Sequence, residues 1–349
     1  MQRPSAKVTI TDVAREAGVS IKTVSRVINR EPNVRTSTRE KVERTVAKLK
    51  YSPNQSARKL ASHRSRLVAL VFDDPSAYEI PSSGYIIKMQ LGALRACQRA
   101  GYDLLIHPCR CRSRSAAAEL AAMIEHSRPD GILLAAPLSD VPKIVRAIQA
   151  IGTPFVRLSP GEKKGGQLSV STNDREISAE MTRYLVSLGH KRIGFITGDP
   201  GHKAVARRYL GYRDGLEQSG LKFSDRLVAK GDNSFGSGEA GGRKLLELSL
   251  RPTAIFAAND DMAAGVIRVA DRLGIVIPDQ LSVAGFDDIA LARLVYPALT
   301  TIRQPLGVMA DRAVSEIISA VSAGTAPSGA IIIPAGLQIR ESTGPAPTN

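Results

Sequence analysis

The sequence predicts a small all-α headpiece joined through a short hinge to a two-lobed α/β core with parallel sheets. Three observations carry that expectation. Residues 1–66 hold 16 Lys and Arg against 5 Asp and Glu, a net +11 of the chain's +15. Within that basic segment, Gly18-Val19-Ser20 separates two short helical patterns. From Leu67 onward, short β-rich apolar runs alternate with helical ones, the pattern of βαβ units.

Helix one is predicted from Thr9-Ile10-Thr11-Asp12, which fits a capping box, and runs to about Ala17 with Val13, Ala14 and Ala17 on one face. Gly18 suits a left-handed C-cap, and Ser20 an N-cap for a second helix whose Val24, Val27 and Ile28 point inward. A third segment, about Thr36 to Lys50, aligns Val42, Val46 and Leu49 to close a three-helix core. Helix two then leaves Ile21, Lys22, Ser25, Arg26 and Asn29 facing outward. Arg26 can grip a guanine edge with both arms of its fork, Lys22 can reach a base or phosphate, and Ser25 and Asn29 can bond bases or backbone. A solvated helix face is the plainer alternative, but the turn spacing and the local charge favour a partner rich in phosphate, namely duplex nucleic acid. Pro53 and Asn54 then signal the start of a hinge helix of about two turns, too short to persist alone and expected to fold on DNA.

The core begins with LVALVF at 67–72, YDLLIH at 102–107, GILLAA at 131–136 and PFVRL at 154–158. A second series follows, RIGFITG at 192–198, TAIFAA at 253–258 and LSVAGF at 281–286. Two series imply two lobes with a ligand cleft between them. Asn259, Asp260 and Asp287 directly follow strands, where open α/β sheets bind ligands, and Asp73, Asp74 and Ser76 follow the first strand.

The whole chain, 349 residues with 43% apolar and 23% charged content, fits a globular protein of two or three domains. Met1 to Lys7 lack the apolar stretch of a signal peptide, and no run approaches the ~18 apolar residues of a membrane span, so the expected compartment is the cytosol. Cys97, Cys109 and Cys111 lack zinc-site spacing and read as reduced thiols, with a Cys109–Cys111 redox pair as the alternative. No metal or cofactor is expected. GxSxG, a phosphate-binding GxxxxGK[ST] loop and a metal triad are absent, and the adjacent pairs Asp260-Asp261 and Asp287-Asp288 direct neighbouring side chains apart, so an enzyme is not expected.

VTITDVAREAGVSIKTVSRVINREPNV, followed by TREKVERTVAKLKYSPNQSARKLAS, resembles the headpiece and hinge of the LacI/GalR family of bacterial repressors. The core is similar to periplasmic-binding-protein-like folds, and the resemblance covers nearly all of residues 7–340. It implies a helix-turn-helix headpiece with hinge helix at 1–52 and 53–64, an effector-binding and dimerisation core at 65–340, and a tail at 341–349. The N-terminal lobe is then about 65–189 plus 305–320 and the C-terminal lobe about 190–300 plus 327–340, with the strand around Ile331 to Ile333 in the latter. Crossings between lobes fall near Gly189-His190, Thr301 to Gln304 and Ser322 to Pro327.

On this resemblance the DNA-facing set also includes Thr9, Ser20, Thr23, Asn33, Tyr51, Asn54, Ala57 and Arg58. Leu60 matches the leucine that wedges into a central minor-groove step. Arg208, in ARRYLGYRDGL, matches the effector-binding arginine, whose fork suits diols or carboxylates, and Gln304 matches a further cleft position. The chain departs from its relatives at Ile21, often polar or aromatic there, and at Gly231-Asp232-Asn233, where many place a stacking aromatic ring. Trp is absent, so stacking would fall to Phe235, Phe72, Tyr78 or Tyr85. The implied function is a homodimeric transcriptional regulator binding a palindromic operator under control of a small effector, a carbohydrate or sugar phosphate. A purine- or other metabolite-responsive regulator and a solute-binding protein are the alternatives.

Overall fold

A computed structural model of the chain describes residues 8–28, 33–51, 64–73, 83–161 and 166–348. Asn29, Asn54, Ala57, Arg58, Leu60, Ser76 and Tyr78, together with the expected hinge helix, lie outside the described residues. The chain divides into two compact units, 1–65 and 66–349.

The first unit contains α1 (Ile10–Ala17), α2 (Ile21–Ile28) and α3 (Thr36–Lys48). The capping box of α1 is complete: Asp12 N donates to Thr9 Oγ1, while Thr9 N donates to Asp12 Oδ2 at 3.0 Å. The Thr9 hydroxyl and then the Thr9 backbone N–H, both donating to Asp12 Oδ2, hold the Asp12 carboxyl below its ordinary range. Gly18 closes the helix in the left-handed region at φ 57°, and Thr23 N donates to Ser20 Oγ at 3.1 Å to cap α2. Val13, Ala14, Ala17, Val24, Val27 and Val42 form the buried centre, with Ile28, Val46, Leu49 and Tyr51 packed around it.

The second unit holds two six-stranded sheets. In the first, β1 (Leu67–Asp73), β2 (Asp103–Cys109), β3 (Gly131–Ala135), β4 (Phe155–Leu158) and β5 (Ser169–Ser171) are joined by β11 (Ala330–Ile332) in the order β11-β5-β4-β3-β1-β2, all parallel. In the second, β6 (Ile193–Ile196), β7 (Val228–Ala229), β8 (Ala254–Ala257), β9 (Ser282–Asp287) and β10 (Thr300–Arg303) are parallel, and β12 (Gly336–Gln338) adds an antiparallel edge to β10. The central strands β3, β4, β6, β8 and β9 are buried throughout; β3, β6 and β8 accordingly read as unbroken apolar runs, while β4 carries Arg157, paired with Asp140, and β9 begins at Ser282 and ends at Asp287. No helix among the described residues is long and apolar enough to cross a membrane.

Three boundary expectations need correction. The helix Asp174–Ser187 belongs to the C-terminal lobe, because Ile177, Met181 and Leu185 join the core built on β6, β8 and β9. Its partner is the helix Lys203–Gln218, drawn close by two glycines: a Cβ on Gly211 would lie 2.1 Å from the Arg175 carbonyl oxygen, and one on Gly215 2.5 Å from Thr182 Cβ. The first crossing therefore precedes Asp174 rather than falling at Gly189-His190. Second, β11 pairs with β5, and Ile331 and Ile333 pack on the N-terminal core, so this strand lies in the N-terminal lobe. The crossing occupies residues 333–335, not 322–327. Third, the expected tail is woven into the C-terminal lobe: Ser342 is buried, its Oγ donates to Val283 O at 2.6 Å, and Ala346 N donates to Leu188 O at 2.8 Å. The helix Leu306–Ala323 packs along the helix Ser83–Ala100 and the N-terminal core.

All three cysteines are free thiols, with Cys97 and Cys109 buried. Burial pushes both of these thiols up to about 11, which disfavours thiolate chemistry at neutral pH.

Candidate functional site

Between the lobes lies a cavity of about 330 Å³. Its polar lining comes from segments at or after the C-terminal ends of parallel strands: Asp73 from β1, Asp199 and His202 after β6, Asp232 and Asn233 after β7, Asn259 and Asp261 after β8, and Asp287 closing β9. Tyr85, Ile86, Pro137, Val205 and Phe235 supply much of the apolar surface.

Arg208 is the fixed point of the site. It is buried on the helix Lys203–Gln218, donates through Nε to Asp174 Oδ1 at 3.1 Å and through Nη1 to Ala258 O at 2.6 Å, and has Nη1 3.4 Å from Asp287 Oδ1. Its guanidinium carbon sits 3.7 Å from the centre of the Phe286 ring. A planar cation held on one face and two edges presents its remaining donors in a set direction. Asp287 is buried at φ 112°, outside the regions that L-residues favour, a local strain retained where the surroundings fix it. Burial raises the Asp287 carboxyl to about 6, against the opposing pull of Arg208 and of the Gln304 amide that donates to it. Burial likewise raises Asp174, with Arg208 opposing.

Of the expected effector residues, Asp73, Arg208, Phe235, Asn259 and Asp287 line the one cavity. Gln304 does not: its amide is used on Asp287, so it positions that carboxyl instead of facing the cavity. Asn259 has structural duties as well, since Oδ1 caps the helix Asp260–Arg272 by accepting from Met262 N at 2.9 Å and Nδ2 donates to Asn233 O at 2.8 Å. Asp260 points away into the lobe, where it accepts from Thr301 Oγ1 and Ile289 N, and Asp261 lines the cavity in its place. Asp288 is buried too and turns away from the cavity, to Arg303 and Arg340.

Arg112, Asp199 and His202 were not legible as site residues. Arg112 follows β2 and its Nη2 donates to Asp199 Oδ2 at 2.5 Å, tying one lobe to the other at the cavity wall. Lys88 Nζ donating to Asp288 O makes a second tie. Burial, reinforced by the Arg208 charge, lowers His202 to about 4, so the ring is neutral at physiological pH.

In the headpiece, α2 presents Ile21, 48% exposed, together with Lys22 and Arg26, while Thr23 and Ser25 are half-buried. The hydroxyls of Ser20 and Thr23 lie 2.9 Å apart in the cap, and that of Thr9 donates to Asp12. Asn33 is exposed, and Tyr51 packs against the headpiece core.

A three-helix head with a basic exposed helix face, followed by a two-lobed body with a polar cleft, defines the ligand-responsive transcriptional regulators. Residues 9–54 match the model for bacterial regulatory proteins of the lacI family, and residues 182–343 match that for the periplasmic binding protein-like domain. Catabolite control protein A of Priestia megaterium is 31% identical over 339 residues, covering 96% of this chain and 99% of that protein. Among solved structures, the lac repressor dimer bound to operator and the anti-inducer ONPF is 26% identical with a TM-score of 0.79, covering 97% of this chain and 100% of that one. The complex of the transcriptional regulator CelR with cellobiose is 29% identical with a TM-score of 0.74, covering 96% and 100%. The chain belongs to the LacI family of bacterial transcriptional regulators, and it is a sequence-specific DNA-binding protein.

Proposed function

We propose that this regulator acts in the cytoplasm as a homodimeric repressor without catalytic activity, whose operator affinity is set by a carbohydrate bound between the core lobes. The observation that carries the reading is the convergence of Arg208, Asn259 and Asp287 on one cavity walled by both lobes. A ligand there controls DNA binding only through its differential affinity for two lobe arrangements, and two hinges per dimer report that arrangement to the operator. Ile21, Lys22, Ser25, Arg26 and Asn29 read the major groove, and Leu60 of each chain wedges one central step of a palindromic site. That the related CelR was solved with cellobiose supports a sugar as effector.

The test is fluorescence anisotropy on a labelled operator with and without candidate sugars. Asp287→Ala should abolish the effector's influence while leaving its sugar-free DNA affinity in place. Calorimetry showing unchanged sugar binding in that variant would remove Asp287 from the site.

A further inference from the structure

Among the described residues, five carboxylates line the cavity, those of Asp73, Asp199, Asp232, Asp261 and Asp287, against only two cations, Arg112 and Arg208. Both cations are already matched: Arg112 by Asp199, and Arg208 by Asp174 and Asp287. His202 is held neutral, as derived above, and adds no positive charge. At Asp232 burial pushes the carboxyl up, yet hydrogen bonds from Ser234 and Ser237 outweigh it and keep the group ionised. A phosphate or carboxylate entering this space would meet a surplus of negative charge in a partly desolvated site.

The same walls carry buried polar atoms that lack a partner among the described residues: His202 Nδ1 and Asn233 Oδ1. A buried polar atom without a partner is costly, and a ligand bringing neutral donors and acceptors removes that cost. The Asn233 backbone is held at φ 74° with its carbonyl accepting from Asn259 Nδ2. The same cavity is also lined by Ile86, Pro137, Val205 and Phe235, which offer C–H and ring surface suited to the apolar face of a sugar.

Building on the effector reading above, we infer that the cleft selects by charge: it takes an uncharged polyhydroxylated ligand and rejects the phosphorylated or carboxylate form of the same molecule. The experiment is calorimetric titration of the full-length protein with matched probes: glucose and glucose 6-phosphate, ribose and ribose 5-phosphate, galactose and galacturonate, cellobiose and cellobionate. The expected result is that a neutral member binds and its anionic partner binds about 100-fold more weakly, the order expected for one like charge beside partly screened carboxylates. In Asp232→Asn and Asp261→Asn variants that ratio should shrink about tenfold for each charge removed, a change that simple loss of packing would not produce. An anionic partner binding as tightly as its neutral form, or more tightly, overturns charge selection while leaving the effector cleft intact. Absence of binding across the whole panel instead overturns the sugar-effector reading, and charge selection with it.

Discussion

Arg208→Ala would leave Asp174 and Asp287 buried together with no cation between them. Removing one member of such a group costs about 3–5 kcal/mol, so the variant should unfold at clearly lower denaturant and lose its response to effector, as read by urea titration and operator anisotropy. Asp287 and His202 pull in opposite senses with pH. The folded Asp287 carboxyl, at about 6, holds its proton more tightly than an unfolded Asp near 3.8, so its contribution favours folding at acid pH and is lost as pH rises through 6. Folded His202, at about 4, holds its proton less tightly than an unfolded His near 6.5, so its contribution is lost as pH falls from 6.5 towards 4. Asp287→Asn removes the first and leaves the second: its Tm should fall more steeply than wild type between pH 6.5 and 4. In the headpiece, Arg26→Ala should cost about 1–3 kcal/mol on operator and much less on random DNA; equal losses on both would reduce Arg26 to a phosphate contact. Asp287 was legible because it stands at the end of a strand, and Arg208 because its surrounding ARRYLGYRDGL resembles the family's effector-binding segment. Arg112, Asp199 and His202 were not, because loops from distant parts of the chain bring them together and nothing local marks the meeting.

At the level of helices and strands, the local rules held where local chemistry decides. Thr9, Asp12, Gly18 and Ser20 punctuate α1 and α2 as expected from side-chain capping, and Thr9→Ala should lower headpiece stability by about 1 kcal/mol in a thermal melt followed by circular dichroism. Local rules failed where partner choice decides. The stripe Ile177, Met181, Leu185 announces a buried face without saying which sheet buries it, and the short strands β5, β7, β11 and β12 are too brief for alternation to show. The Gly211–Arg175 approach fixes the helix pair that places Asp174 against Arg208. Gly211→Ala should therefore destabilise the core by about 1–3 kcal/mol and weaken sugar binding together, because the atom it meets is backbone and cannot swing aside.

For the molecule as a whole, charge and connectivity matter most. A net +11 confined to residues 1–66 should make operator binding strongly salt dependent, with log K falling by about 0.9 per contacted phosphate for each unit of log salt. Arg112–Asp199 at the cleft and Lys88–Asp288 away from its lining join the lobes. Arg112→Ala should shift the balance of lobe arrangements and so change the effector concentration needed for half response, without touching the headpiece. The α/β class and the two lobes were readable from alternating strand and helix patterns. The places of the first and third crossings were not, since neither the apolar stripe of the helix Asp174–Ser187 nor the short strand Ala330–Ile332 says which lobe will take it.

The late return of the chain has a consequence for inheritance. Both sheets receive an edge strand after residue 329, the N-terminal lobe takes its helix Leu306–Ala323 from the same late stretch, and Ser342 is stitched between Val283 and Thr300. Ribosomes must therefore translate past Ile332 before the N-terminal lobe can close, and past Ser342 before the C-terminal one can. A premature stop anywhere upstream of the Ser342 codon removes structure from at least one finished sheet system, and one upstream of residue 330 removes it from both. Nonsense alleles that stop before the Ser342 codon are expected to behave as nulls, even where they retain more than 340 residues of the chain.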